Sequence, residues 1–306
     1  MATQALIADS RTIGTLFSGN IDDYPEGIII PINKPYRWTS ADVVRKIKRA
    51  ACRHFGKKNL KVGHAGTLDP LATGVLLVCI GKACRQAETL QKESKEYVAG
   101  ISFGATTPSY DLEKAVDKLY PHDNVSEKTV SETLPKFVGE QEQVAPLFSA
   151  KSVDGVRAYE LARKQFKDRG LAKTDVIDGF DHSVAEMLNF QKITIYEMEL
   201  LAFGPGSAVP QPADNSSQYD PNSRINVADT SGLNLPLATI RISCSKGTYI
   251  RALARDLGEA LGTGAHLNSL RRTKSGGFNV ETALSITQAV SLFATKDQET
   301  PSGQDN

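Results

Sequence analysis

"KVGHAGTLDPLATGVLLVCIGKA", residues 61–83, carries one acidic side chain, Asp69. Gly63, Gly66, Gly74 and Pro70 fence it, and an apolar run follows. Asp-Pro among glycines is common turn chemistry, because the short carboxylate accepts hydrogen bonds from its own following backbone. "VLLVCIG" (75–81) is too short and too apolar for an exposed helix and reads as a central strand. The turn therefore feeds a buried strand that holds the carboxylate rigidly. Small residues at 63, 65, 66, 72, 73 and 74 let another backbone approach closely.

The rest of the chain bounds what such a turn can serve. Its 306 residues suffice for one large domain or two smaller ones. Hydrophobic residues at 40% and charged residues at 23% are ordinary for a soluble globular protein. No apolar stretch is long enough to span a membrane, and the N-terminus lacks a basic-then-apolar export pattern. Cys52, Cys79, Cys84 and Cys244 form no C-x-x-C pair, which disfavours a zinc site and a disulfide framework alike. The five histidines lack metal-ligand spacing, and neither a dinucleotide fingerprint nor a Walker sequence is present. These features describe a reduced, cytoplasmic protein that needs no metal or cofactor.

Outward from the turn, "GIIIPINKP" (27–35) is a strand candidate, and "TSADVVRKIKRAACRHF" a helix over 40–55 with Thr39 or Ser40 as N-cap. Residues 43, 44, 47, 51, 54 and 55 keep its apolar period, and Arg45, Lys48, Arg49 and Arg53 stack opposite. "KEYVAGISFG" (95–104) and "TIRISCS" (239–245) are further strands, and "TYIRALARDLGEALG" a helix closed by Gly262. Helices are also predicted over 126–139, disturbed by Pro135, and over 154–169. Residues 1–26 read as a flexible leader, 27–292 as the main folded domain, and 293–306 as a disordered tail. Residues 204–236 read as an exposed irregular insertion, because Gly, Pro, Ser, Asn and Asp fill 20 of its 33 positions. Strands and helices without regular alternation predict an α+β fold, a mixed and largely antiparallel central sheet flanked by helices.

Net charge is only +1, yet its distribution is uneven. Residues 34–61 hold ten Lys/Arg against Asp42, and residues 241–274 hold seven against Asp256 and Glu259. Concentrated positive charge of this kind suits a surface that meets phosphates. In "SKGTYIRALARD", Tyr249 and Arg251 fall where a strand meets its following helix and bracket one place with an aromatic face and a guanidinium fork. A lone carboxylate, an arginine able to hold it ionised, an aromatic platform and basic flanks suit chemistry on a nucleotide.

With those residues in view, "GHAGTLDPLATGVL" resembles the signature of the TruB-type tRNA pseudouridine synthases. The resemblance runs over roughly residues 27–290. It takes in "INKPYRWTS", "SKEYVAGISFGATTPSYD", "QVAPLFSAKSVDGVRAYELAR", "CSKGTYIRALARDLG" and "GAHLNSLRRTKSGGF", in the family's order. The bacterial, guide-independent branch fits better than the dyskerin branch. Arg37 and Lys114 stand where the family typically has Gly, the 204–236 insertion exceeds the family norm, and the family's usual C-terminal PUA domain is not expected.

The resemblance implies the pseudouridine synthase fold and a role for each matching residue. Asp69 would be the catalytic carboxylate and Arg251 its partner; Tyr97 would stack on the flipped base near the proton to be removed. Tyr249 and Leu267 would shape the pocket, His64 would support the flipped RNA, and Lys34 would brace the first motif. Asp111 joins that substrate-binding set. Arg45, Arg49, Arg53, Lys61, Arg271 and Arg272 would grip the RNA backbone. The implied partner is the tRNA T-stem-loop, modified at position 55 by a monomer with no obligatory protein partner. A guide-RNA-dependent enzyme and a non-catalytic tRNA-folding protein are the alternatives.

Overall fold

The computed structural model describes residues 4–13, 17–146, 152–153, 156–157, 190–206 and 225–294. They fall into two compact units divided between Glu93 and Ser94 and again between Arg272 and Thr273, so the first unit is built from both ends of the chain.

In the first unit, β1 (Leu6–Ile7) lies parallel to β2 (Ile28–Lys34), which runs antiparallel to β4 (Ala72–Ile80); β3 (Val62–Ala65) also pairs with β4. All nine residues of β4 are buried, as its unbroken apolar run requires. Each Val, Leu or Ile buried there contributes about 1.5–3 kcal/mol of hydrophobic stabilisation. Ile29, Val75, Leu77, Cys79 and Val280 share one core. Helix α1 (Ser40–His54) buries Val43, Ile47 and Ala51, four residues apart, and exposes Arg45, Lys48, Arg49 and Arg53. Thr39 is its N-cap, in a reciprocal capping box with Asp42. The free edge of β2 is closed twice: by β1, and by a parallel bridge from Leu284 to Ile32, with Asn33 N–H donating to Leu284 O at 2.9 Å.

The second unit orders its strands as Ala265–Ser275, β5 (Lys95–Phe103), Pro236–Cys244, Gln191–Pro205 and Gly139–Gln143. The registers from β5 outward through the last three are antiparallel. The helix Ile250–Ala260 buries Leu253, Ala254 and Leu257. With β1 parallel to β2 and these antiparallel pairs, the fold is α+β with a mixed sheet, as the sequence predicts.

Five predictions of organisation need correction. The leader is part of the first unit: Phe17 is buried against Tyr24, Phe55 and Phe293, with ring centroids 5.0–6.5 Å apart. The same contact draws Phe293 out of the predicted tail, and residues beyond 294 lie outside the described ones. The predicted insertion starts later and ends earlier, since Gly204 and Pro205 pair with Leu237 and Pro236, and Leu235 is buried. Finally, Val156–Arg157 pairs as a strand with Ser152–Val153 where a helix was predicted; the remainder of 154–169 lies outside the described residues. The helix over 126–139 is the shorter Glu127–Thr133, followed by a 3₁₀ turn that accommodates Pro135.

Candidate active site

Asp69 is half-buried in the loop joining β3 to β4, and its carbonyl accepts the Ala72 N–H at 3.1 Å. Gly66 and Gly74, on either side, adopt φ of +91° and +98°, values that a side chain resists. Both chain neighbours of Asp69 are clamped. The Ser40 hydroxyl, at the start of α1, donates to Leu68 O at 3.0 Å and accepts from Leu68 N at 2.9 Å. The Lys34 ammonium, fully buried at the end of β2, donates to Pro35 O at 2.9 Å, Trp38 O at 2.6 Å and Pro70 O at 3.2 Å. An ammonium has three N–H donors, and three carbonyls receive them, which offsets the cost of burying its charge. Lys34 thus ties the 35–38 turn to the residue after Asp69.

That 35–38 turn contains Arg37 at φ +60°, the left-handed region that glycine enters without strain. His64 is half-buried in β3, opposite Val78.

The second unit gathers a different set. Arg251, in the first turn of the helix Ile250–Ala260, donates from Nη1 to Ser109 O at 3.0 Å and pairs through Nε with Asp111 Oδ2 at 3.7 Å. The two side chains are 5% and 4% exposed, so this is a buried ion pair. Asp111 accepts the Glu113 N–H at 3.0 Å and forms a parallel bridge with Leu267, whose N–H donates to Tyr110 O. Tyr110 lies at φ +57° between Ser109 and Asp111, a costly conformation for an aromatic residue at the point where both its chain neighbours meet Arg251. The ring of Tyr110 is covered by the Arg255 guanidinium at 5.2 Å, and burial pushes its phenol up. Tyr97 is buried on β5, registered with Ile242.

Tyr249 caps the N-terminus of this helix without using its side chain. Instead Gln143, 2% exposed, donates from Nε2 to Tyr249 O at 3.1 Å and accepts the Tyr249 N–H at Oε1, 2.8 Å away. Sequence reasoning missed Gln143, as it missed Ser40 and Tyr110. Nothing in residue type separates Gln143 from Gln141, two positions earlier on the same face of the strand; only the tertiary contact with Tyr249 distinguishes the buried one.

The predicted RNA-backbone residues divide. Arg45, Arg49, Arg53 and Lys61 are exposed, with Arg45 paired to Asp42 across one turn of α1. Arg271 is half-buried. Arg272 is 1% exposed and so is corrected: it faces inward with Leu270 on alternate positions of its strand, where a phosphate does not reach. Among the described residues, no three His, Cys, Asp or Glu side chains are grouped to hold a metal ion, and no helix is long and apolar enough to cross a membrane.

Two family models match the chain. The model for the N-terminal domain of the TruB family of pseudouridylate synthases matches residues 53–181, and that for the tRNA pseudouridylate synthase B C-terminal domain matches 251–301. The tRNA pseudouridine synthase B of Phocaeicola vulgatus is 44% identical over 264 residues, covering 86% of this chain and 92% of its own. That of Bacteroides thetaiotaomicron is 45% identical over 262 residues, covering 86% and 91%. Among solved structures, a chain of a Cbf5-Nop10-Gar1 complex superposes with a TM-score of 0.54 at 26% identity, over 89% of this chain and 56% of that one, so this chain spans about half its length. From the extent and identity of these matches, the chain belongs to the TruB family of pseudouridylate synthases.

Proposed function

We propose that this protein isomerises uridine to pseudouridine in tRNA, at position 55 of the T-loop, acting alone in the cytoplasm as a monomer. The N1–C1′ bond breaks, C5 bonds to C1′, a proton leaves C5 and N1 gains one. Atoms and electrons balance without an oxidant, so no cofactor is called for. The target base lies in a structured loop and must be everted, at a cost on the order of a few kcal/mol. His64 and the tyrosines offset that cost by supporting the displaced stack and the base.

Asp69 acts ionised, either attacking the sugar or withdrawing a proton from it. Arg251 is proposed to support the reaction through a guanidinium whose orientation Asp111 and Ser109 fix. Tyr97 serves the removal of the C5 proton. Arg45, Arg49, Arg53, Lys61 and Arg271 meet phosphates, so binding weakens steeply with salt.

The observation that carries this reading is the clamping of Asp69 through both neighbours, Leu68 by Ser40 and Pro70 by Lys34. A turn that merely reverses the chain needs no buried ammonium to hold it. The test is incubation of the protein with an unmodified tRNA transcript, without added RNA or protein, and chemical mapping of pseudouridine. One modified site in the T-loop is expected. A tRNA that binds and emerges unmodified overturns the assignment; conversion that needs a second RNA moves it to a guide-dependent enzyme.

A further inference from the structure

A groove of about 810 Å³ opens in the first unit, with Ile21, Tyr24, Leu60 and Gly81 in its lining. Its polar lining is nearly all cationic: Lys57, Lys58, Lys61, Lys82 and Arg85, against one carboxylate, Asp22. Asp22 is occupied by Lys57 at 3.0 Å, which leaves the positive charge of the other four uncompensated within the lining. Lys58, Lys61, Lys82 and Arg85 are all exposed.

Its position is set by the β3–β4 hairpin. Val62 pairs with Ile80 and Ala65 with Leu77, and the Gly81 N–H donates to Lys61 O at 2.8 Å. Lys61, Gly81 and Lys82 therefore mark the open end, and Asp69 the closed end. The nine residues of β4 separate the two ends by roughly 26 Å at about 3.3 Å per residue. Helix α1 spans a similar interval. It begins at Ser40, hydrogen-bonded to Leu68, and ends at His54, whose ring nitrogens meet Ser18 O and Phe293 O at 2.9 and 3.1 Å. Its exposed arginines at 45, 49 and 53 lead along one face to Lys57 and Lys58.

We propose that the groove is a second RNA-backbone site, which binds phosphates of the tRNA body lying beyond the T-arm. This rests on the tRNA reading above. Lysines suit the task, because each is a flexible point charge that follows a backbone without demanding bidentate geometry. The continuity with α1 favours a long polyanion over a compact acidic ligand. At roughly 3 Å of axial rise per base pair, the groove stands on the order of eight base pairs along a duplex from the target. A short hairpin modified at Asp69 does not extend that far.

The experiment compares full-length unmodified tRNA with the isolated T-arm hairpin, for wild type and for the triple variant Lys58→Gln/Lys82→Gln/Arg85→Gln. All three side chains are exposed, and thermal melting verifies that the fold is kept. The expected result is a Kd for full tRNA raised about tenfold or more, with its log–log salt slope shallower by about three. Affinity for the hairpin, and the single-turnover rate at saturating RNA, stay within about twofold. Equal weakening on both RNAs overturns the proposal by merging the groove with the T-arm site. Unchanged binding of both also overturns it, and directs the groove toward an acidic protein instead. Should wild type convert neither RNA, the enzymatic reading fails by itself, while the Kd comparison still decides the groove.

Discussion

Lys34 Nζ donates to Pro70 O at 3.2 Å across thirty-six residues of sequence, so a fully buried ammonium holds the residue that follows Asp69. Replacing it tests how firmly that turn must be held. Lys34→Met keeps the length of the stem and strips Pro35, Trp38 and Pro70 carbonyls of their donor. Each buried carbonyl left without a partner costs about 1–3 kcal/mol. Urea denaturation should show a loss of several kcal/mol, and single-turnover conversion well below the melting transition should still be slower than wild type. Full activity in a destabilised protein would mean the clamp serves folding alone.

Asp69→Asn removes the charge and keeps the shape. Conversion in a single turnover should fall by at least about 10²–10⁴-fold. Binding of tRNA, measured by filter retention, should stay within a few-fold, because the phosphate contacts lie elsewhere. A variant that turns over like wild type removes Asp69 from the chemistry.

Gln143 works as a surrogate peptide group for Tyr249, giving one hydrogen bond and taking one. Gln143→Leu strands the Tyr249 N–H in a buried site and should lower stability by about 1–3 kcal/mol. Gln143→Glu still accepts that N–H but sets a carboxylate oxygen against Tyr249 O, so it should rescue little. If both variants match wild type in denaturation and in turnover, the pair is incidental.

His266 is fully buried, and its Nδ1–H donates to the Ala105 carbonyl at 3.0 Å. Burial holds its pKa below the usual histidine value, against smaller opposing effects of Ala105 O and Asp117. Between the lowered folded value and about 6.5, the unfolded chain binds a proton that the folded chain refuses. Stability therefore rises with pH through that window, by up to about 1.4 kcal/mol per pH unit, and the gain is complete above the unfolded value. His266→Gln should flatten the slope of denaturation free energy between pH 5 and 6.5 relative to wild type. An identical slope in both proteins assigns the effect to another group.

How far the sequence alone reaches is clearest in particular elements. Helix α1 was readable to its cap, because Val43, Ile47 and Ala51 keep the helical period and Thr39 and Asp42 announce the start. The strand after Asp69 was readable from composition alone. The packing of Phe17 on Phe55 and Phe293 was not, since no local period marks residues that meet only in the folded chain. The site divides in the same way. Asp69, His64 and Arg251 stand in motifs, whereas Gln143 is marked only by its tertiary contact with Tyr249. Arg272 misled for a related reason: charge predicts exposure in general, and here alternation along Ala265–Ser275 turned the guanidinium inward.

The edge of β2 is sewn shut by pieces from opposite ends of the chain, residues 6–8 on one stretch and Leu284 on the other. A nascent chain growing from its N-terminus already holds β2, α1 and the whole Asp69 loop, yet it cannot complete that seam until nearly everything else has been synthesised. The Asp69 turn is thus made early and its scaffold fastened last, and a fragment stopping before Thr273 leaves part of a strand edge open to any neighbour that can pair with it.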